Sequence, residues 1–553
     1  MTATVGGFSL IDEPWVLVRT LEEATEEVSL LDLFRRSPEL AEIVGDLPTQ
    51  AFAILRLTLA ILHRAVEGPR DERHWRELWD AAKPPVAAIE LYLDRFRDRF
   101  DLFHPVTPFF QVAGLHTAKD EFSGLERLVA DVPAGRPHFT MRAGRGLKRL
   151  TAAEATRWLV HLQAFDISGR KSGAVGDPRV THPNGTGDPI GVGWTGNLGG
   201  LAVQGEDLWR TLLLNLIPRD QPSLVQFSAS DRPSWERDPD TAREDDDLAS
   251  RPDGPTDLFT WQSRRVRLRG GPDAVTGVLV ANGDKLTRQN RLRSEPMTAW
   301  RRSEPQQKKL GLALVYMPQE LRSDRALWRG LNSLLPVVAP RGRADGGQQH
   351  VTAAVVEWAA CVLDGRRNVT LRATGMVYGT QKAMVDEVVD DRLTVSVALL
   401  SEAEPALAQS VIDAVDAADQ AVTAVRHLAT DLALARGASA PTSDAAKRHL
   451  LAIGDAAAAQ AFSLIDGPFR EWLSGLDQTS DPEKARIDWH VKARRILGDL
   501  GVKVIRSAGP GAWVGHEVNG YRITTPEADV RFRAALASAL PVPAEKTGEE
   551  AMT

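Results

Sequence analysis

The chain has 553 residues, 43% hydrophobic and 25% charged, which is enough for three to four domain-sized units with sizeable cores. That composition excludes a disordered or collagen-like protein, and the single Cys361 excludes an intramolecular disulfide or any site needing two thiolates. The net charge of −7 argues against a free-standing nucleic-acid binder, yet it averages over strongly basic and strongly acidic stretches.

Residues 8–18 read as a short strand broken at Pro14. Residues 51–66 and 74–100 carry helical apolar spacing, the second interrupted at Pro84-Pro85. No apolar run reaches the ~18 residues of a membrane span, because 52–62 is short and holds Arg56. The first residues lack a basic segment followed by an apolar one, so a cytoplasmic protein is expected. Residues 105–112 read as loop followed by a short extended piece. Residues 134–146 are rich in glycine and arginine, and a helix is predicted over 152–165. Residues 168–200 hold many glycines and little that packs, a pattern of functional or mobile loops. Across 133–182 nine Lys/Arg face three Asp/Glu. A short helix is predicted over 208–216, and 231–247, with eight acids against three bases, reads as an exposed loop. Strands are expected over 260–269, 275–280 and 312–317, within a basic stretch (264–309) of twelve Lys/Arg against four acids. Residues 376–383 interrupt two regular segments. Beyond 384 the chain turns alanine-rich, with helices expected over 401–436, 444–476 (capped by Ser443), 482–500 and 526–540. Short connections between them predict an antiparallel bundle. The fold class is therefore α+β: an irregular mixed α/β domain over 1–383, an all-α four-helix bundle over 384–540, and a disordered tail over 541–553.

Catalytic chemistry finds no foothold. No His-Glu-x-x-His or Gly-x-Ser-x-Gly occurs, and the twelve histidines are scattered. His161 fits a packed or surface position, and Cys361 lies in an apolar run that suggests a buried, inert thiol. Gly169-Arg-Lys-Ser172 lacks the upstream glycine of a phosphate loop. Gly191-Val-Gly-Trp-Thr-Gly196 matches Gly-x-Gly-x-x-Gly, but its flanks are loop-like where a dinucleotide site needs a strand and a helix. Glycines without Cβ atoms still let backbone groups approach a ligand closely, the edge of a nucleic-acid groove included.

The opening Phe8-Ser-Leu-Ile-Asp-Glu-Pro-Trp-Val-Leu-Val18, then Pro108-Phe-Phe-Gln111, the glycine segment, Asp207-Leu-Trp-Arg-Thr-Leu-Leu-Leu-Asn-Leu216, Tyr378-Gly-Thr-Gln381 and the closing helices form an ordered set. That set resembles CasA, the large subunit of the type I-E CRISPR surveillance complex (Cascade). The resemblance implies a non-enzymatic subunit without cofactor or metal. It implies partners in the 5′ handle of a guide RNA, double-stranded target DNA, the other Cascade subunits and a helicase-nuclease, and no membrane. Such a subunit reads the protospacer-adjacent motif from the minor groove and wedges the duplex open. By this resemblance Gly191, Gly193 and Gly196 form the glycine loop, Gln381 and Thr380 the wedge, and Arg301 or Arg302 the basic finger, with Lys308 and Lys309 as substitutes. Phe139, Arg142, Arg145, Lys148 and Arg149 fall in a loop that engages nucleic acid. A metal-dependent nuclease of unrecognised fold and a helical interaction scaffold stand as alternatives.

Overall fold

The computed structural model describes residues 7–81, 83–130, 148–335, 349–401, 404–438, 442–518 and 520–543. β1 (Val16–Thr20) buries every second residue and pairs antiparallel with β2 (Thr25–Val28) and β3 (Leu40–Ile43). α1 (Leu30–Arg35) starts where the Ser29 hydroxyl accepts the Asp32 N–H. α2 (Pro48–Ala65) is buried along nearly its whole length and forms the axis of this region. α3 (Glu72–Asp80) and α4 (Val86–Arg95) follow, divided at the two prolines. α5 (Ala152–Phe165), capped by Thr151, packs on α2, where Thr49 Oγ1 lies 3.0 Å from His161 Nε2.

The remaining strands are short. β4 (Gly200–Gln204) precedes α6 (Leu208–Leu214) and α7 (Pro255–Phe259). β5 (Arg264–Gly271) and β6 (Ala274–Asn282) form a hairpin in which Arg264 faces Asn282. β7 (Trp300–Arg302), α8 (Glu304–Leu310), β8 (Tyr316–Pro318) and β9 (His350–Val351) give a sheet of order β8-β7-β9. After α9 (Ala354–Val362), β10 (Asn368–Tyr378) and β11 (Val385–Ser396) join β4 in the order β11-β10-β4. β11 stands where alanine-rich helix was expected. The junction placed at 383–384 is a hairpin tip, and Val385, Val388, Val389 and Val395 give its return arm strand character.

Two compact units emerge: Met1–Leu327 with Ala339–Val362 and Val369–Arg392, and Trp328–Val338 with Leu363–Asn368 and Leu393–Thr553. In the first, the acidic run is no solvated loop. The Asp231 carboxylate accepts the N–H groups of Thr256 and Asp257 at the start of α7, at 3.2 and 2.9 Å. The fully buried Arg265 meets Asp245 (3.0 Å), Asp284 (2.8 Å) and Asp240 (3.3 Å), while Arg251 holds Asp245 and Asp257, each at 2.6 Å. Acids of 231–247 thus neutralise Arg265 of the basic stretch and Arg251 just before it. Of residues 168–200 the last part packs: 192–200 are buried, and Trp194 and Leu198 form a core cluster with Leu258 and Trp261, while much of 175–189 is exposed. Cys361 is exposed, not buried.

The second unit contains α10 (Val397–Leu400), α11 (Pro405–Ala435), α12 (Asp444–Ser474), α13 (Pro482–Ser507), α14 (Gly509–Val514) and α15 (Thr525–Ala539). α11 packs against α12, α13 and α15. α12 buries one stripe, Leu450, Gly454, Ala458, Ala461, Ile465, Phe469 and Leu473. By length and composition α12 is apolar enough to cross a membrane, contrary to the sequence reading; a third of its most apolar window is buried in the unit. The Phe469 ring stacks on Trp328 at 4.2 Å and meets Trp489 edge-on at 4.8 Å. A hairpin of β12 (His516–Val518) and β13 (Tyr521–Ile523), unforeseen in the sequence, separates α14 from α15. Of the expected tail, only 541–543 lies within the described residues.

Candidate nucleic-acid interface

α5 ends at Phe165, and the glycine segment is fastened to that end. The Gly193 N–H donates to the Asp166 carbonyl at 2.8 Å, and a Cβ on Gly193 would sit 2.6 Å from the Ala164 carbonyl. Trp194–Asn197 then form a short 3-10 turn. A Cβ on Gly196 would overlap the hydroxyl of Tyr378, which donates to the Phe165 carbonyl at 2.7 Å. Gly193 and Gly196 are therefore buried packing positions. Gly191 differs: its φ of +102° demands glycine, while the space beside its Cα is open.

Buried charges hold this loop from beneath. Arg264 donates to the Gly191 carbonyl at 2.7 Å and pairs with Asp166, which also binds Lys171 at 2.7 Å. Burial pushes the Asp166 carboxyl upward, but Lys171 and Arg264 outweigh it and hold the pKa below the ordinary value. The Trp194 indole donates to Glu295 at 2.8 Å, and Glu295 receives both terminal nitrogens of Arg56 at 2.8 Å each.

β10 and β11 carry the second element. Their tip, Thr380–Lys382, places Gln381 (φ 56°) and Lys382 (φ 55°) in the left-handed region, a strained arrangement for side chains. The tip is tethered by the Ser168 N–H, which donates to the Lys382 carbonyl at 2.8 Å, and by Lys382 Nζ on Glu320 at 2.9 Å. Thr380 and Gln381 are exposed.

These parts border one cleft of about 330 Å³, lined by Gly191, Gln381, Lys382 and the residues that follow β6: Asp284, Lys285, Thr287, Arg288 and Gln289. Asp284 is bound to Arg265, and burial pushes its carboxyl up to about 6. The cleft thus offers amides, a hydroxyl, Lys285, the pair Arg288 and Lys382 that share Glu320, and an open stretch of backbone, suited to hydrogen bonding beside a phosphate chain.

Arg301 is exposed on β7 and Arg302 is half-buried beside it; neither lines the cleft. Lys308 and Lys309 are exposed at the end of α8, whose C-cap Gly311 is left-handed. Lys148 and Arg149 are exposed just before Leu150, which exchanges backbone hydrogen bonds with Val275. Phe139, Arg142 and Arg145 lie outside the described residues. Lys285, Arg288 and Gln289 were missed as individuals. Their charge was in the count for 264–309, but only the end of β6 at Asn282 places them beside Gly191.

The family model for CRISPR-associated protein Cse1 matches residues 9–500. The chain belongs to the Cse1 family. It is similar to the crystal structure of Thermobifida fusca Cse1, with 44% identity, coverage of 98% and 99% of the two chains, and a TM-score of 0.89. CasA/Cse1 of Thermus thermophilus is 29% identical over 445 residues, 77% of this chain and 78% of that one. The fold is also that of a chain in a CRISPR RNA-guided surveillance complex, at 18% identity, coverage of 96% and 99%, and a TM-score of 0.65.

Proposed function

We propose that this Cse1-family chain is the non-catalytic large subunit of a type I-E CRISPR surveillance complex. In this reading it recognises a short motif in double-stranded DNA from the minor groove and starts strand separation there. One observation carries the reading: the open backbone of Gly191 and the exposed amide of Gln381 border the same cleft as Lys285 and Arg288. The minor groove presents a degenerate pattern, so backbone and amide contacts there tolerate several motifs. Unstacking the first step costs a few kcal/mol, which Gln381 at a rigid tip offsets by insertion. The cations add sequence-independent affinity that falls with salt, and guide pairing supplies the remaining specificity, a division described for another RNA-guided effector. In this reading the basic finger is Lys285 and Arg288 rather than Arg301 or Arg302, because Lys285 and Arg288 line the cleft with Gly191. The 5′ handle of the guide, the other subunits and a helicase-nuclease complete the partners.

The test is a reconstituted complex with duplexes carrying or lacking the motif. Gln381→Ala should slow strand opening, followed by a fluorescent base beside the motif, while leaving duplex capture intact. Lys285→Ala with Arg288→Ala should weaken capture and flatten its salt dependence; Arg301→Ala with Arg302→Ala should do neither. Equal motif-dependent binding with and without this chain overturns the reading.

A further inference from the structure

The turn after α2, the start of α3 and one face of α4 enclose a groove of about 1380 Å³, larger than the ~300–1,000 Å³ typical of small-molecule sites. Its α4 wall is a helical stripe, Ala88, Leu91, Tyr92 and Arg95, spaced as one face of a helix. Leu91 is 74% exposed within that stripe, while Tyr92 beside it is held by hydrogen bonds. The floor is rigid. Arg64 grips Glu236 through two bonds of 2.7 and 2.6 Å, the Tyr92 hydroxyl donates to the same carboxylate at 2.6 Å, and the Trp235 indole donates to that hydroxyl at 2.7 Å.

Charge around the rim does not balance. Of the carboxylates facing the groove, Glu236 is consumed by Arg64 and Asp94 by Arg97, leaving Glu67. Arg70, Arg95 and Arg219 line the same groove, and among the described residues none has a carboxylate within ion-pair distance. Burial, and then repulsion from Arg64, push the Arg219 pKa down by more than attraction from Asp231, Glu67 and Glu236 restores.

We infer that this groove binds an acidic amphipathic helix of a partner protein, its apolar side chains seated on Leu91 and Ala88 and its carboxylates on Arg70, Arg95 and Arg219. A phosphate chain would use the arginines but gain nothing from a wall of alanine, leucine and proline. A helix with apolar residues three and four apart and acids alongside uses both. The site lies apart from the cleft at Gly191 and does not depend on how that cleft is read.

The probe is a fluorescein-labelled helical peptide of about fifteen residues, leucines along one face flanked by glutamates, with a lysine-for-glutamate twin and an oligothymidine of similar length. Fluorescence anisotropy with the full chain should show saturable binding of the glutamate peptide only. Leu91→Glu, at an exposed position that the fold does not need, should weaken it roughly tenfold or more. Arg70→Glu with Arg95→Glu should abolish it and confer binding of the lysine twin, a gain that misfolding cannot mimic. Failure of the glutamate peptide to saturate, indifference to Leu91→Glu, or displacement of the peptide by oligothymidine would each overturn the inference.

Discussion

The two units are held together by different means. The first buries ion pairs between residues far apart in the chain: Arg56 and Glu295, 239 positions distant, are both fully enclosed. The second packs alanine, leucine and aromatic stripes along helices whose neighbours come almost in sequence order. The spacing of apolar residues announces the second kind of core by itself; the first becomes visible only once the partner is located. Buried ion pairs contribute little net stability over an apolar replacement, but losing one partner is costly.

The largest effect should follow from breaking that first kind of core. Arg56→Met strands the Glu295 carboxylate with only the Trp194 indole and the Met297 N–H, and should cost about 3–5 kcal/mol in urea unfolding. Adding Glu295→Leu should restore part of the loss, and a double variant as unstable as the single would erase the contrast. Acid comes next. Burial holds both His63 and His161 down to about 3, well below the value of an unfolded chain. Each keeps its full stabilising contribution above pH 6.5 and loses it as pH falls toward 3. The chain should therefore lose roughly 2 kcal/mol per histidine between pH 7 and 5, and His161→Gln should remove about half of that slope.

Within the helices, two glycines of α13 sharpen the comparison. A Cβ on Gly501 would press into the Phe532 ring, so Gly501→Ala should destabilise by about 1–3 kcal/mol. Gly498 meets only Leu536 at 4.0 Å, and Gly498→Ala should stabilise by about 0.5–1 kcal/mol. Thermal melts of the pair read the difference in sign. The smallest effect belongs to the hairpin tip. Gln381→Gly relieves one left-handed side chain and should add about 1 kcal/mol or less to stability, while removing the amide to which the proposed strand opening is assigned. A variant that opens duplexes normally would detach strain from function there.

The helices that bury a stripe were legible because each stripe is local: 152–165 coincides with α5, and the four long C-terminal helices fall within a few residues of expectation, α13 running on to Ser507. β11 was not, because its exposed acids, Asp386, Glu387 and Asp390, hide an alternation that only pairing with β10 makes useful. The acidic run misled for a related reason. Eight acids in seventeen residues look solvated until Arg251 and Arg265 are brought to them from further along the chain. At the cleft, composition pointed to glycine and to basic residues but not to which ones. Gly193 and Gly196 are demanded by Ala164 and Tyr378, contacts that no spacing within the loop encodes.

The internal pairing of Arg264 and Arg265 has a consequence for kinetics. Twelve basic residues between 264 and 309 suggest a broad, clinging field, yet these two are already spent on carboxylates inside the protein, and Arg288 leans on Glu320. What remains outward is half of the count: Arg269, Lys285, Arg293, Arg301, Lys308 and Lys309. In the proposed role these six, rather than all twelve, would release counterions on touching a duplex, so encounters with unrelated sequence would end sooner than the basic count suggests.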